Sequence, residues 1–255
     1  MSYFSTPWVI LFGGAGREAV VESLVAAGIP IQRVIVPVKQ APKLVRSIEK
    51  LSILGLSIVN VTKGEVEARL EQTKDCNLLS VGFPFIIPKA AYFKRPIALN
   101  VHPTLLPKYR GPTSGPYILI NDERESGSSV HLLAEEVDAG DIVIQSRVSI
   151  SPFDTVRSLQ KKVYATEPSL VIQALKILDA GSPPTTQDQR EATVYPVARR
   201  PSDSEIDPTL PLVELFNQIR ACDPVDYPAF FQYRGEKVCI KLWRPDKPEG
   251  EADAI

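Results

Sequence analysis

Trp8-Val9-Ile10-Leu11-Phe12 runs directly into Gly13-Gly14-Ala15-Gly16. It is a short apolar run ended by glycines, the pattern of a buried strand feeding a tight turn. Glu18 to Ala27 then carries apolar residues at helical spacing, and Gly28 closes the segment. The alternation repeats. Arg33 to Val38 reads as strand and Lys43 to Leu54 as an amphipathic helix closed by Gly55. Ser57 to Val61 reads as strand, Gly64 to Gln72 as helix, and Asn77 to Val81 as another buried strand. Short apolar runs separated by helices of this length predict an α/β fold: a Rossmann-like, mostly parallel sheet with flanking helices.

After Ala98-Leu99-Asn100-Val101-His102 the pattern changes. A Pro-rich loop leads to a helix around Gly115 to Asn121. Ser128 to Ala134 and Asp141 to Ile150 read as strands, and the loop Glu135 to Gly140 between them predicts an antiparallel pair at one sheet edge. Thr155 to Ala180 reads as a long helix stopped by Gly181. Residues 1–182 are therefore expected to form the main domain. Residues 183–201, rich in Pro, Thr and charge, read as a linker, and 202–247 as a small C-terminal module. In it Leu212 to Ala221 looks helical; Phe230 to Tyr233, Arg234-Gly235 and Lys237 to Trp243 read as a β-hairpin. About fifty residues bury little core alone, so the module is expected to pack on the main domain or on a second copy of itself. Residues 248–255 are polar and expected to fray.

Composition excludes several classes of function. Lys plus Arg (29) nearly cancels Asp plus Glu (30), so no global field draws nucleic acid or an anionic membrane. Cys76, Cys222 and Cys239 show no paired ligand spacing; neither a disulfide framework nor a metal site is expected, and a reducing cytoplasm is the default. The start MSYFSTPWVILF lacks the positive region and long apolar stretch of a signal peptide. No run of about 18 apolar residues occurs, so no membrane partner is expected.

The densest cluster of unusual residues runs from Asn100 to Gly111, N-V-H-P-T-L-L-P-K-Y-R-G. Ligands of open α/β sheets bind at the carboxyl ends of strands. Asn100 and His102 are two apart on an extended segment, so both can point to one side. An amide donor beside a neutral imidazole suits attack on a carbonyl: one stabilises the oxyanion, the other handles the proton. Equally, Asn100 could cap a strand end and His102 be a satisfied structural histidine. A second cluster, Glu135-Glu136-Val137-Asp138-Ala139-Gly140-Asp141, has four acids in seven residues. It reads as a solvated turn unless Asp138 returns toward His102, where a carboxylate would orient the ring and raise its pKa. Gly13-Gly14-Ala15-Gly16 lacks the full dinucleotide spacing, and Val36-Pro37-Val38-Lys39 offers no acid for a ribose. The glycines are read as a tight turn, with contact to an acceptor phosphate as the other possibility. His131, on a predicted strand, is given a structural or supporting role.

N-V-H-P-T-L-L-P-x-x-x-G followed by V-D-A-G-D-I resembles the formyltransferases that use N10-formyltetrahydrofolate, whose usual pattern is N-x-H-x-S-L-L-P and D-x-G. The interval from Asn100 to Asp138 (138 − 100 = 38) matches theirs. The resemblance covers roughly Val9 to Gly181, and more loosely the tail. It implies that Asn100 donates to the formyl oxygen, that His102 moves the proton, and that Asp138 supports His102; Thr104 stands where Ser is usual and keeps the hydroxyl. It implies an apolar folate slot formed by Gly82, Phe83, Pro84, Phe85, Ile86 and Ile87 on one side, with Val137 to Asp141 opposite; an ordinary strand-to-helix loop would also suit 82–88. It implies no metal.

The tail is short for a methionyl-tRNA formyltransferase, while glycinamide ribonucleotide enzymes usually end near Gly181. The chain is most similar to nucleotide-sugar N-formyltransferases. This implies a nucleotide-linked amino sugar as partner, of the kind that supplies lipopolysaccharide O-antigen, with Thr104, Tyr109, Arg110 and Thr113 as acceptor contacts. It also implies a homodimer built with the tail, and makes nucleic acid an unexpected partner. A formyltetrahydrofolate hydrolase and a catalytically silent folate-binding module are the rival readings.

Overall fold

The computed structural model describes residues 2–112 and 114–249. β1 (Trp8–Phe12), α1 (Glu18–Ala26), β2 (Ile31–Pro37), α2 (Pro42–Ile53), β3 (Ile58–Val61), α3 (Val66–Glu71), β4 (Asn77–Val81), α4 (Lys89–Tyr92) and β5 (Ala98–His102) alternate as the sequence pattern predicts. There follow α5 (Gly115–Ile120), β6 (Glu125–Leu132), β7 (Ile142–Ser149), α6 (Val156–Asp179), α7 (Leu212–Arg220), β8 (Ala229–Tyr233) and β9 (Glu236–Ile240). The first seven strands form one sheet in the order β3-β2-β1-β4-β5-β6-β7. β1 to β5 run parallel, and β6 and β7 complete the sheet as an antiparallel pair at its edge.

Alternating side chains of β1 fill two separate cores, as a strand covered on both faces requires. Trp8, Ile10 and Phe12 pack with Val20 and Leu24 of α1, Leu51 of α2 and Leu170 to Leu175 of α6. Val9 and Leu11 pack on the other face with Val66 and Leu70 of α3 and Ala91 of α4.

The chain leaves β1 toward β2 and β3 on one side, then returns to build β4 and β5 on the other. The loops after β1 and β4 therefore diverge at the carboxyl end of the sheet, where such folds open a crevice. Here the glycines explain themselves. A Cβ on Gly13 would lie 2.6 Å from the Gly82 carbonyl oxygen, and one on Gly82 2.8 Å from the Gly14 Cα. The two loops cross in contact, and both Gly13 and Gly14 N–H groups donate to the Val81 carbonyl (3.1 and 3.0 Å).

Just beyond this crossing, Arg17 is buried, and its Nε and Nη2 are both hydrogen-bonded. Its Nε and Nη2 donate to Glu167 of α6 at 2.6 and 2.7 Å, and Nη2 also donates to the Val101 carbonyl at 2.9 Å. Ser128 of β6 completes the Glu167 carboxylate at 2.9 Å.

β6 begins at Glu125, three residues earlier than the apolar pattern suggests, because the polar run Glu125-Ser126-Gly127 still pairs with β7. Gly127 is suited to that ladder, since a Cβ there would meet the Ser146 carbonyl oxygen at 1.8 Å. The stretch 183–201, expected as a linker, is tied to the main sheet and its loops. Thr185 exchanges backbone hydrogen bonds with Ile142 (2.8 and 2.7 Å), and the Arg110 backbone bonds to Thr193 and Tyr195 (2.9 Å each).

The small module gathers Ile206, Leu215, Ile219, Cys222 and Ala229 into a core of its own. Its hairpin turns at Arg234-Gly235, both at positive φ (50° and 85°), as a two-residue turn of this type needs. β9 stops at Ile240, short of the expected Trp243. Arg157 of α6 grips Asp223 of the module through two bonds (2.8 and 2.6 Å). Of the polar tail expected over 248–255, residues 250–255 lie outside the described residues. Among the described residues no helix is long and apolar enough to cross a membrane.

Glu167→Ala would leave the Arg17 guanidinium buried without its carboxylate. The free energy of unfolding, read by urea denaturation, is expected to fall by about 3–5 kcal/mol; a loss under about 1 kcal/mol would show that the pair does not hold the sheet to α6.

Candidate functional site

β5 ends at the crevice, and its register sets the site. Asn100 and His102 both project from the end of this strand, and the antiparallel pairing with β6 sets His131 directly opposite Asn100. Asp138 comes from the loop between β6 and β7. It sits at positive φ (57°), a conformation Asp tolerates better than most residues. The loop can fold back this far because of Gly140, where a Cβ would lie 1.9 Å from the Leu132 carbonyl oxygen.

Asp138 is the point where the loops meet. Oδ1 accepts from Asn100 Nδ2 at 3.2 Å, and Oδ2 accepts the Gly111 N–H at 2.9 Å. His102 Nδ1 lies 3.4 Å from Oδ2, and His131 Nε2 lies 3.6 Å from Oδ1. A carbonyl can only accept, so His102 Nε2, 2.9 Å from the Tyr109 oxygen, carries the ring hydrogen and Nδ1 keeps its lone pair. By the same argument His131 Nδ1 donates to the Leu132 carbonyl (2.8 Å), leaving Nε2 to accept from Asn100 Nδ2 (3.1 Å).

Burial pushes the His102 pKa below the ordinary histidine value and outweighs the pull of Asp138. The carboxylate does act in the expected upward direction, but the ring is so thoroughly removed from water that the net shift is downward. Burial would also raise the Asp138 pKa, but attraction to His102 and His131 in their protonated forms, with the Gly111 N–H, overcomes it and holds the carboxyl well below the usual carboxylate range. The resting state is a neutral imidazole beside an ionised carboxylate. A proton brought to Nδ1 would be held by that charge.

The cluster opens into a cleft of about 990 Å³. Gly82, Phe83, Pro84, Phe85, Ile86, Ile87 and Val137 line it, so the expected apolar slot faces the same space as Asn100, His102 and Asp138. Asp141 does not line it; its carbonyl is the acceptor for the Leu132 N–H (2.9 Å). Nor do three of the expected acceptor contacts. Thr104 is buried and bonds to the Lys108 carbonyl (3.1 Å). The Tyr109 hydroxyl is taken by Glu123 (2.8 Å), and the buried Arg110 guanidinium is held by Gln187 and Gln189. These side chains brace the loop around His102. Thr113 lies outside the described residues.

Two residues that shape the site escaped the sequence reading. Arg17 fixes the carbonyl between Asn100 and His102, and a cation at the start of a helix, against the helix dipole, was a legible oddity. Gln187 had no such signal. It donates to the Asp138 and Gly140 carbonyls (2.9 and 2.6 Å) while accepting from Arg110, so it clamps the D-A-G turn from a segment 49 residues away.

Comparison with known proteins agrees with this geometry. The formyl transferase family model matches residues 33–175, more than half of the chain, and the chain belongs to that family. A methionyl-tRNA formyltransferase of Borreliella burgdorferi is 33% identical over 156 residues, 58% of this chain and 50% of the relative. The match thus spans about half the length of that relative. A methionyl-tRNA formyltransferase of Symbiobacterium thermophilum is 29% identical over 92% of this chain and 75% of its own. Among solved structures, a 4-N formyltransferase from Francisella tularensis superposes with a TM-score of 0.76 at 20% identity, covering 93% of this chain and 97% of its own. A sugar N-formyltransferase from a Shewanella species gives 0.74 at 19% identity, over 94% and 97%. HypX from Aquifex aeolicus, solved with tetrahydrofolic acid, gives 0.64 at 17% identity over 92% of this chain and 37% of its own. At such identities these structures share the fold.

With two histidines in the chain, nitrogen NMR reads both rings separately. His102 is expected as the Nε2–H tautomer with a midpoint below about 6.5; a midpoint above that value would contradict the burial argument. Because the unfolded chain then binds this proton first, the contribution of His102 to stability is whole above about pH 6.5 and declines as pH falls toward the folded value. The depressed pKa of Asp138 acts in the same sense below about pH 3.9.

Proposed function

We propose that this protein transfers a formyl group from N10-formyltetrahydrofolate to the amino group of a nucleotide-linked amino-deoxysugar. The observation that carries the reading is the position of Asn100, His102 and Asp138 where an apolar slot meets a polar arm of one cleft. A transferase needs two ligands to meet at one set of catalytic groups, and this arrangement provides it.

The pterin would occupy the slot of Phe83, Phe85, Ile87 and Val137, with Gly82 admitting it close to the backbone. The neutral acceptor amine attacks the formyl carbon, and charge develops on the formyl oxygen. The hydrogen of Asn100 Nδ2 now spent on the 3.2 Å bond to Asp138 is the one that can turn to that oxygen. His102 accepts the amine proton at Nδ1 as an imidazolium stabilised by Asp138, and returns it to N10 as the carbon–N10 bond breaks. His131 holds the Asn100 amide from behind. The chemistry calls for no metal.

The sugar acceptor is favoured by structural neighbours that cover 94% and 93% of this chain and 97% of their own. The sequence relatives keep a second reading open, transfer to methionyl-tRNA. The same proposal makes the protein a cytoplasmic homodimer; sedimentation at the monomer mass of 28.1 kDa at every concentration would remove the dimer.

Purified protein is expected to formylate one or more 4-amino-sugar nucleotides, read by mass spectrometry, and to leave methionyl-tRNA unmodified. Formate release without any amine would instead make it a hydrolase. His102→Asn and Asp138→Asn should each lower kcat by about 100-fold or more while the fold, read by circular dichroism, is retained. Near-native turnover in either variant would overturn the mechanism.

A further inference from the structure

The cleft has a second arm on the opposite face of the sheet from the phenylalanine slot. Phe83 and Phe85 pack toward α3 and α4. The second arm is walled by Gln160 and Tyr164 of α6, by Lys43 at the start of α2, and by Arg199, Asp223 and Asp226. Most charges here are already matched. Lys43 pairs with Asp226, Asp223 is gripped by Arg157, and Arg17 is neutralised by Glu167. Arg200 stands out in solvent, 3.8 Å from Asp203.

Arg199 is the exception. Among the described residues no carboxylate lies within 4.0 Å of its guanidinium. Nη2 donates to the Asp203 backbone carbonyl at 2.6 Å, while Nη1 is buried with no hydrogen-bond acceptor. A charged donor left unmade out of water is costly, so its place in a ligand cleft marks it as waiting for an anion. The group also has an aromatic neighbour. Its Cζ lies over the Tyr117 ring, 5.7 Å from the centroid, Tyr117 stacks on Tyr195 at 4.1 Å, and Tyr195 faces Tyr109 at 5.7 Å. Asn121 ties the Tyr109 and Tyr195 hydroxyls together. A planar, pre-ordered guanidinium suits a phosphoryl group, whose oxygens match its fork.

We propose that Arg199 is the residue that binds a phosphoryl group of the small-molecule acceptor in this second arm. The inference rests on the transferase reading and names the anchor that distinguishes a phosphorylated acceptor from a bare amino sugar. It also joins acceptor binding to the catalytic ring. The stack ends at Tyr109, whose carbonyl takes the His102 Nε2 hydrogen, and Tyr195 N donates to the carbonyl of Arg110 next to it. The folate glutamate tail is the competing anion, and the experiment separates the two.

Affinities for uridine diphosphate, thymidine diphosphate and inorganic pyrophosphate, and separately for tetrahydrofolate, are measured by calorimetry on the full chain without turnover. Arg199→Gln is expected to weaken the tightest diphosphate by about 10- to 100-fold and leave tetrahydrofolate unchanged. Arg199→Lys should fall between the two, because it keeps the charge and loses the fork. Arg190→Gln, an exposed control paired with Asp188, should match the wild type. The proposal is overturned if the wild type binds none of the diphosphates, if Arg199→Gln binds them as tightly, or if tetrahydrofolate is the ligand that weakens. Should Arg199→Gln fail to fold, Arg199→Lys decides alone: diphosphate affinity equal to wild type would overturn the assignment. Diphosphate binding lost in the variant supports the assignment even where no formyl transfer is detected, so its failure and that of the transferase reading are told apart.

Discussion

Arg17 and Glu167 are 150 residues apart and meet where neither touches water. A buried pair of charges is tolerated only when hydrogen bonds compensate for lost water, and this one has several. The guanidinium takes both carboxylate oxygens and the Val101 carbonyl, and Ser128 adds a hydroxyl to the same carboxylate. Four elements are thereby fixed to one another: the glycine turn after β1, the end of β5, β6, and the middle of α6. Val101 lies between Asn100 and His102, so the pair holds the backbone from which both project.

On that frame the loops converge through close approach. Gly140 lets the loop after β6 fold against Leu132, and Gly111 lies against the Tyr195 carbonyl oxygen, 2.3 Å from where a Cβ would stand. Each contact brings a group to Asp138: its own backbone in one case, the Gly111 N–H in the other. Interaction with His102, then with His131 and the Gly111 N–H, holds the Asp138 pKa down in spite of burial, and the carboxylate can in turn stabilise a positive charge on His102.

The stretch 183–201 shows how a segment without secondary structure can still order a site. Its backbone pairs with Ile142 and Arg110, and Gln187 reaches the D-A-G turn. It then lines the cleft through Arg199 and hands the chain to the small module. Both ligand arms are thus bounded by parts of the chain that meet only after folding.

What the sequence determined by itself was local in its physics. Short, largely apolar runs and helix-period segments specified β1 to β5 and their crossovers, because a strand buried on both faces must be mostly apolar and a covering helix must be apolar on one stripe. Asn100 and His102 were legible because strand periodicity puts residues two apart on one side, and the Asn100-to-Asp138 interval resembles that of a known family. Polar strands such as Glu125-Ser126-Gly127 were missed, since hydrogen bonding to β7 and not burial pattern makes them strand. Folding alone settled that Thr104, Tyr109 and Arg110 brace a loop instead of facing the cleft, that burial lowers the His102 pKa, and that Arg17 and Arg199 line the cleft while Gln187 clamps the turn beside it. These outcomes depend on desolvation or on partners that the folded loops bring together, many of them scores of residues away, and neither quantity is written in the order of the residues.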